Sequence, residues 1–253
     1  MSRKGRPKNL QHTVSILQNR FGTRAIRKME SSDAAPPPAL STGLRAVDGM
    51  LGIGGLPKGR ITEVMGVGTA GQATLAAKAM DQAQQEGQQM LYVDVYHDVD
   101  LDFLHRCGVR FDALTILRPW SFAHGLEMAG DFIRGGGAGI IVWDRIPAAP
   151  PEPDAFDRLD TALREWNLWL GRSLSVLLFL TEVPSPQVYP SGLSLPFFAS
   201  LRLLCERQEW LRRTQQVTGF TSRVSVLKNR FGPSGQSALI RVKFTNGIHA
   251  EDA

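Results

Sequence analysis

Cysteine is scarce in this 253-residue chain, which carries Cys107 and Cys205 alone. Two thiols cannot build a disulfide framework, and no paired Cys/His spacing suggests a zinc site. Long apolar runs are lacking too. No stretch approaches the roughly 18 apolar residues of a membrane-spanning helix, and the N-terminus, MSRKGRPKNLQ, is basic without the apolar segment of a secretory signal. A soluble, cytoplasmic protein of a reducing compartment is expected, with no membrane partner. What the chain does have is 43% hydrophobic and 21% charged residues, ample material for one large domain or two small ones.

The net charge of +5 conceals an uneven distribution. Residues 1–30 hold eight Lys/Arg against one acid, and residues 201–243 hold nine against Glu206 and Glu209, whereas residues 31–200 have nineteen acids to twelve bases. Basic ends around an acidic middle suit a polyanion or an acidic protein face as partner, or serve simply to keep the surface solvated.

Periodicity sets the expected order of elements. Leu10, Val14, Leu17 and Phe21 recur at helical spacing over Asn9–Phe21 and are followed by Gly22, which predicts an amphipathic helix. The run Ala34-Ala35-Pro36-Pro37-Pro38 reads as a stiff spacer after it. Strands are expected at 60–65, 90–95, 113–117, 139–143 and 176–180, and helices at 73–86, 100–107, 122–134 and 157–170. This alternation predicts an α/β fold with a mainly parallel sheet and helices on both faces. Three later segments, 198–206, 221–227 and 238–244, follow without helical spacers and read as antiparallel strands completing the sheet.

Between the strand at 60–65 and its helix lies Gly66-Val67-Gly68-Thr69-Ala70-Gly71-Gln72-Ala73-Thr74, which fits the frame of a Walker A phosphate loop, GxxxxGK[ST]. The glycines let backbone N–H groups wrap an anion at a helix N-terminus. The chemistry is missing. Gln72 stands where a phosphate-neutralising lysine belongs and Ala73 where a hydroxyl would ligate Mg²⁺, losses that together cost several kcal/mol of nucleotide binding. Thr74 reaches a metal only if the turn shifts by one residue.

Around that loop, Ser41-Thr42-Gly43-Leu44, Asp48 and Leu51–Glu63 resemble the entry to the core of the bacterial recombinase RecA. The resemblance continues through Tyr92–Asp100, Cys107-Gly108-Val109, Leu117-Arg118-Pro119, the Walker B-like strand Gly139–Asp144 and Arg223–Arg230. It covers about residues 10–250. It implies a RecA-type P-loop core at 41–253 without RecA's C-terminal domain, preceded by a Pro-rich linker at 36–40. Before these, residues 1–35 combine a basic tail with the amphipathic helix, which packs on its own domain or, as the resemblance implies, grips a neighbouring subunit through Leu10, Val14, Leu17 and Phe21.

Carried over residue by residue, the resemblance also implies what has been lost. The family's water-activating glutamate falls on Tyr96, a phenol ill suited to act as a base at neutral pH. The γ-phosphate sensor falls on Glu182, an acid where an amide is expected. Asp144 matches a metal-polarising aspartate, or equally caps a turn, and Asp100 stands on the adenine side. Of the family's DNA contacts, Arg164 matches an arginine and Tyr189 is available to stack, but the second DNA loop, 183–197, has four prolines and no Lys or Arg. The tail Arg3-Lys4-Arg6-Lys8 offers a substitute phosphate contact or a solvated arm. Lys228 and Arg230 match the basic pair that reaches across to a neighbour's γ-phosphate, or else decorate an edge strand.

A trimmed relative with decayed motifs resembles the ImuA class of RecA-like accessory proteins. That resemblance implies a non-hydrolysing adaptor in damage-induced translesion synthesis, with RecA, error-prone polymerase subunits and single-stranded DNA as partners. No cofactor is required on this reading, and weak ATP or ADP binding stays open. The alternatives are a divergent ATP- and DNA-dependent recombinase and a DNA-binding filament that needs no nucleotide.

Overall fold

The structure is a computed structural model describing residues 6–23, 26, 35–244 and 247–253, with residues 6–9 described by backbone alone. It divides into two units, residues 1–36 and 37–253. In the first, helix α1 spans Arg6–Phe21, with Pro7 in the opening turn, where no intrahelical N–H is needed. Gly22, at φ 86°, ends it by returning its N–H to the Gln18 carbonyl at 2.8 Å. Leu10 and Phe21 of the expected stripe are exposed, and Val14 and Leu17 half-buried. Arg3 and Lys4 lie outside the described residues.

The second unit opens with β1 (Ala39–Leu40), α2 (Arg45–Met50) and β2 (Leu56–Pro57), the two strands pairing as a short antiparallel ribbon. Then β3 (Arg60–Gly66), α3 (Gln72–Gln85), β4 (Gln89–Asp94), α4 (Leu101–Arg106), β5 (Leu114–Leu117), α5 (Phe122–Gly135), β6 (Ala138–Ile146), α6 (Ala155–Leu170) and β7 (Val176–Glu182) alternate as the periodicity predicts. The short helix α7 (Leu195–Phe198) precedes β8 (Leu201–Arg213), β9 (Gln216–Asn229), β10 (Ser237–Lys243) and β11 (His249–Asp252).

Among the described residues these strands form one nine-stranded sheet in the order β11-β10-β9-β8-β3-β7-β6-β4-β5. Strands β5 to β8 along that row are parallel and the remaining pairs antiparallel. Residues 61–66 and 176–181 are buried throughout, because a central parallel strand is covered on both faces. One core cluster lies under α2, α3 and α4, with Val47, Leu75, Met80 and Leu104; the other lies under α5 and α6, with Leu126, Ile133, Leu163 and Trp166. In the second, the fully buried Trp143 meets the rings of Phe122, Trp166 and Phe179 at 5.3–6.2 Å.

Three features correct the sequence expectation. Strand β8 lies parallel to β3, so only its far edge begins the antiparallel part. The β8–β9 hairpin runs well past 206 and 221, to a turn at Thr214-Gln215; its outer rungs are mostly exposed and the apolar Trp210, Leu211 and Val217 there set no regular alternation for the sequence to show. Strand β11 went unread for the same reason.

After β3 the chain crosses β7 and β6 to reach β4, which opens a crevice at the carboxyl ends of these strands, the place where open α/β sheets hold ligands. Gly66, Asp94 and Glu182 end β3, β4 and β7, and Asp144 lies near the end of β6.

Candidate functional site

The glycine loop has the phosphate-binding shape but holds its own side chain. Gly68 at φ 56° and Gly71 at φ 101° take the left-handed conformation, and Gly71 caps α3. The Gln72 carboxamide folds back over the loop. Its Oε1 accepts from Ala70 N–H at 3.2 Å and its Nε2 donates to the Gly68 carbonyl at 2.7 Å. A Cβ at Gly66 would overlap this carboxamide. An amide oxygen therefore accepts the hydrogen bond that a phosphate oxygen would take. From outside, Ser222 Oγ donates to the Ala70 carbonyl at 2.6 Å and Arg207 Nη1 to the Thr69 carbonyl at 2.7 Å.

The second half of the site is built around Arg145, a residue the sequence reading passed over. Its Nη2 donates to Asp98 Oδ2 at 2.8 Å, its Nε lies 3.8 Å from Glu182, and its guanidinium sits 5.0 Å over the Tyr96 ring. One cavity of about 160 Å³ gathers Ala73, Asp100, Asp144, Tyr92 and Arg145. A neighbouring one of about 290 Å³ is lined by Tyr96, Arg145 and Glu182. Ala73, Asp100 and Asp144 thus line one cavity and Tyr96 and Glu182 the other, with Arg145 as the wall between them. The signal for it was a basic residue placed directly after the aspartate that ends an apolar strand.

A nucleoside triphosphate and its metal do not fit these groups. The loop's anion site is occupied by Gln72, and Ala73 offers no hydroxyl to a metal. Thr74 is buried in α3. Where a metal would balance the carboxylates, the Arg145 guanidinium already does.

Asp144 accepts from the Tyr92 hydroxyl at 2.5 Å. Burial raises its pKa, nearby Asp98 and Asp94 add to the rise, and the Tyr92 bond and Arg145 oppose it. A carboxyl raised in the folded state stabilises the fold fully below its unfolded pKa and loses that contribution as pH rises through the folded value. Asp144→Asn is therefore expected to raise the thermal midpoint at pH 7, with the gain shrinking on acidification, as calorimetry across pH would record. A gain independent of pH would contradict the burial argument.

The remaining candidates have local roles. Asp100 Oδ1 caps α4 by accepting from Phe103 N–H at 2.8 Å. Arg164, exposed on α6, sits 6.0 Å from the Phe198 ring. Tyr189 corrects the stacking expectation: its hydroxyl donates to Glu63 at 2.6 Å and Arg202 lies 4.8 Å over its ring, so it is turned inward. Lys228 Nζ donates to the Pro196 carbonyl at 2.6 Å, and Arg230 Nη2 to the Phe197 carbonyl at 3.0 Å; in this state both cations brace α7. Both cysteine thiols are buried, which pushes them up to about 12 and keeps them protonated and unreactive. No helix among the described residues is long and apolar enough to cross a membrane.

Comparison with known proteins agrees with this frame. Protein RecA of Staphylococcus carnosus is 29% identical over 266 aligned positions, covering 97% of this chain and 75% of the relative. Protein RecA of Desulfotalea psychrophila is 30% identical over 260, covering 95% and 73%. Among solved structures, a RadB recombinase superposes with a TM-score of 0.65 at 19% identity, covering 85% of this chain and 99% of that one. A KaiC-like protein from Pyrococcus horikoshii gives 0.64 at 17% with the same coverage. The model of the RecA N-terminal domain matches residues 8–165, from α1 through the glycine loop into α6. Strand order, loop frame and sequence together make the chain a member of the RecA family.

Proposed function

We propose that this chain is a catalytically degenerate RecA-like accessory protein of DNA repair, an adaptor for RecA, for an error-prone polymerase complex, or for both, in damage-induced translesion synthesis. The observation that carries this reading is the Gln72 carboxamide closed on the phosphate loop, with Arg145 tied to Asp98 and Glu182 across the crevice. A site whose charges are already paired within the chain has no call for nucleotide turnover, so contact surfaces become the working parts. The purified protein is expected to show no DNA-stimulated phosphate release, and steady turnover in that assay would end the reading.

On this view the second unit docks on an intact RecA subunit through the Lys228/Arg230 pair, and α1 supplies a separate contact of its own. Lys228→Ala with Arg230→Ala is expected to reduce capture by ATP-loaded RecA about tenfold or more, on the scale of charge pairs at interfaces. Because the pair also braces α7, Ser194→Ala is the control: it removes a different tether of the same helix, Ser194 Oγ to Asp160 at 2.7 Å, and should leave capture unchanged. Equal capture by the double variant and the parent would refute the docking face.

A further inference from the structure

The connection from β7 to α7 is tied to the core along its length. Val183 N–H donates to the Gly66 carbonyl at 3.0 Å, Ser185 and Val188 bridge each other, Tyr189 bonds Glu63, and Ser194 bonds Asp160. Between this segment and the sheet lies a cleft of about 270 Å³ walled by Met65, Pro186, Val188, Pro196, Leu204 and Leu227. Its lip is apolar and open, with Val188 52% and Leu227 45% exposed. The strand pairing explains Leu227. Arg202 is opposite Lys228 and Leu203 opposite Val226, so Leu227 is an extra residue in a bulge, which re-aims its side chain.

The charged side chains beside the cleft are mostly cationic. Arg202 lines it, Lys228 follows Leu227 and reaches the Pro196 carbonyl, and Arg230 reaches the Phe197 carbonyl. The Glu63 carboxylate is satisfied by Arg202 at 2.6 Å, and Glu182, next to Val183, lies 3.8 Å from Arg145. Lys228 and Arg230 donate only to neutral carbonyls. Burial, with the neighbouring Arg230 and Arg202, holds the Lys228 ammonium below its usual pKa, and Glu63 opposes the shift.

We propose that this cleft docks an acidic segment of a partner protein. An apolar side chain enters between Val188, Pro196 and Leu227, and flanking carboxylates meet Lys228 and Arg230. An apolar centre with a charged rim is the usual anatomy of a protein-binding hot spot. A nucleic acid strand suits the surface less well. Residues 183–197 supply no cation, and the one tyrosine has its hydroxyl committed and its ring covered by Arg202, whereas single strands need a cationic track with open aromatic faces. The proposal shares Lys228 and Arg230 with the RecA-docking pair proposed above, but it rests on the apolar lining of the cleft and is tested without RecA, so its failure and that of the adaptor reading are distinguishable.

Fluorescence anisotropy on the full chain tests it, with a labelled peptide of alternating leucine and glutamate, its glutamine counterpart, and labelled oligothymidine as probes. The acidic peptide is expected to bind, and the glutamine version to bind about tenfold more weakly. Val188→Glu and Leu227→Glu, both at exposed positions, should each weaken binding about tenfold or more with unchanged thermal midpoints. The proposal is overturned if the acidic peptide fails to bind, if the glutamine peptide binds equally, if both variants bind like the parent, or if oligothymidine displaces the peptide.

Discussion

Replacing Arg202 by methionine is expected to cost about 3–5 kcal/mol of folding stability, the scale on which a buried ion pair broken from one side is penalised. Glu63 is fully buried in β3, and Arg202 is its register partner on β8. The carboxylate accepts from Arg202 Nε at 2.6 Å, from Thr181 Oγ1 at 2.8 Å and from the Tyr189 hydroxyl at 2.6 Å. Methionine fills much of the arginine's volume beside Met65 but leaves a charge inside the protein with two hydroxyls and no cation. The companion variant, Glu63→Gln with Arg202→Met, removes that charge and should recover a large part of the loss. Urea unfolding of the single and double variants measures both terms. A single variant within about 1 kcal/mol of the parent would place this pair with surface ion pairs and contradict its burial.

That pair also shows where sequence reading stops. Glu63 is visible as an acid inside an apolar strand, and Arg202 as a base inside the strand expected at 198–206, but their pairing depends on β8 lying parallel to β3. Periodicity cannot see that, because it fixes the faces of a strand and not its neighbours. The alternation from β3 to β7 was legible, since central strands bury both faces and amphipathic helices carry a stripe. The outer half of the hairpin and β11 were not, because edge rungs bathed in solvent select no pattern. In the crevice, Gly66, Gly68 and Gly71 form the turn between β3 and α3 that the glycine spacing describes, Asp100 and Asp144 were marked through resemblance alone, and the departures at Gln72 and Ala73 were plain from residue type. What replaced the lost groups was hidden. Nothing in a sequence says that a glutamine will fold back on its own loop, or that Arg145 will stand between Asp98 and Glu182.

Gln72→Lys with Ala73→Thr is expected to raise ATP affinity about tenfold or more, because it opens the latched loop and supplies a charged hydrogen bond of about 1.5–3 kcal/mol. That variant leaves Arg145 in place. Its gain should be nearly independent of Mg²⁺, since the guanidinium already balances Asp98 and Glu182. Adding Arg145→Ser removes the internal cation and enlarges the cavity beside Asp144, but exposes a bound phosphate to three carboxylates, Asp98, Asp144 and Glu182. The triple variant should therefore bind ATP more weakly than the double one in EDTA and more tightly in Mg²⁺, an ion that needs only one or two carboxylates alongside phosphate oxygens. Titration of a fluorescent ATP analogue in the two buffers reads this crossing directly. If the double variant gains nothing, Gln72 is not what closes the loop; if the curves do not cross, Arg145 is not the counter-ion of the crevice.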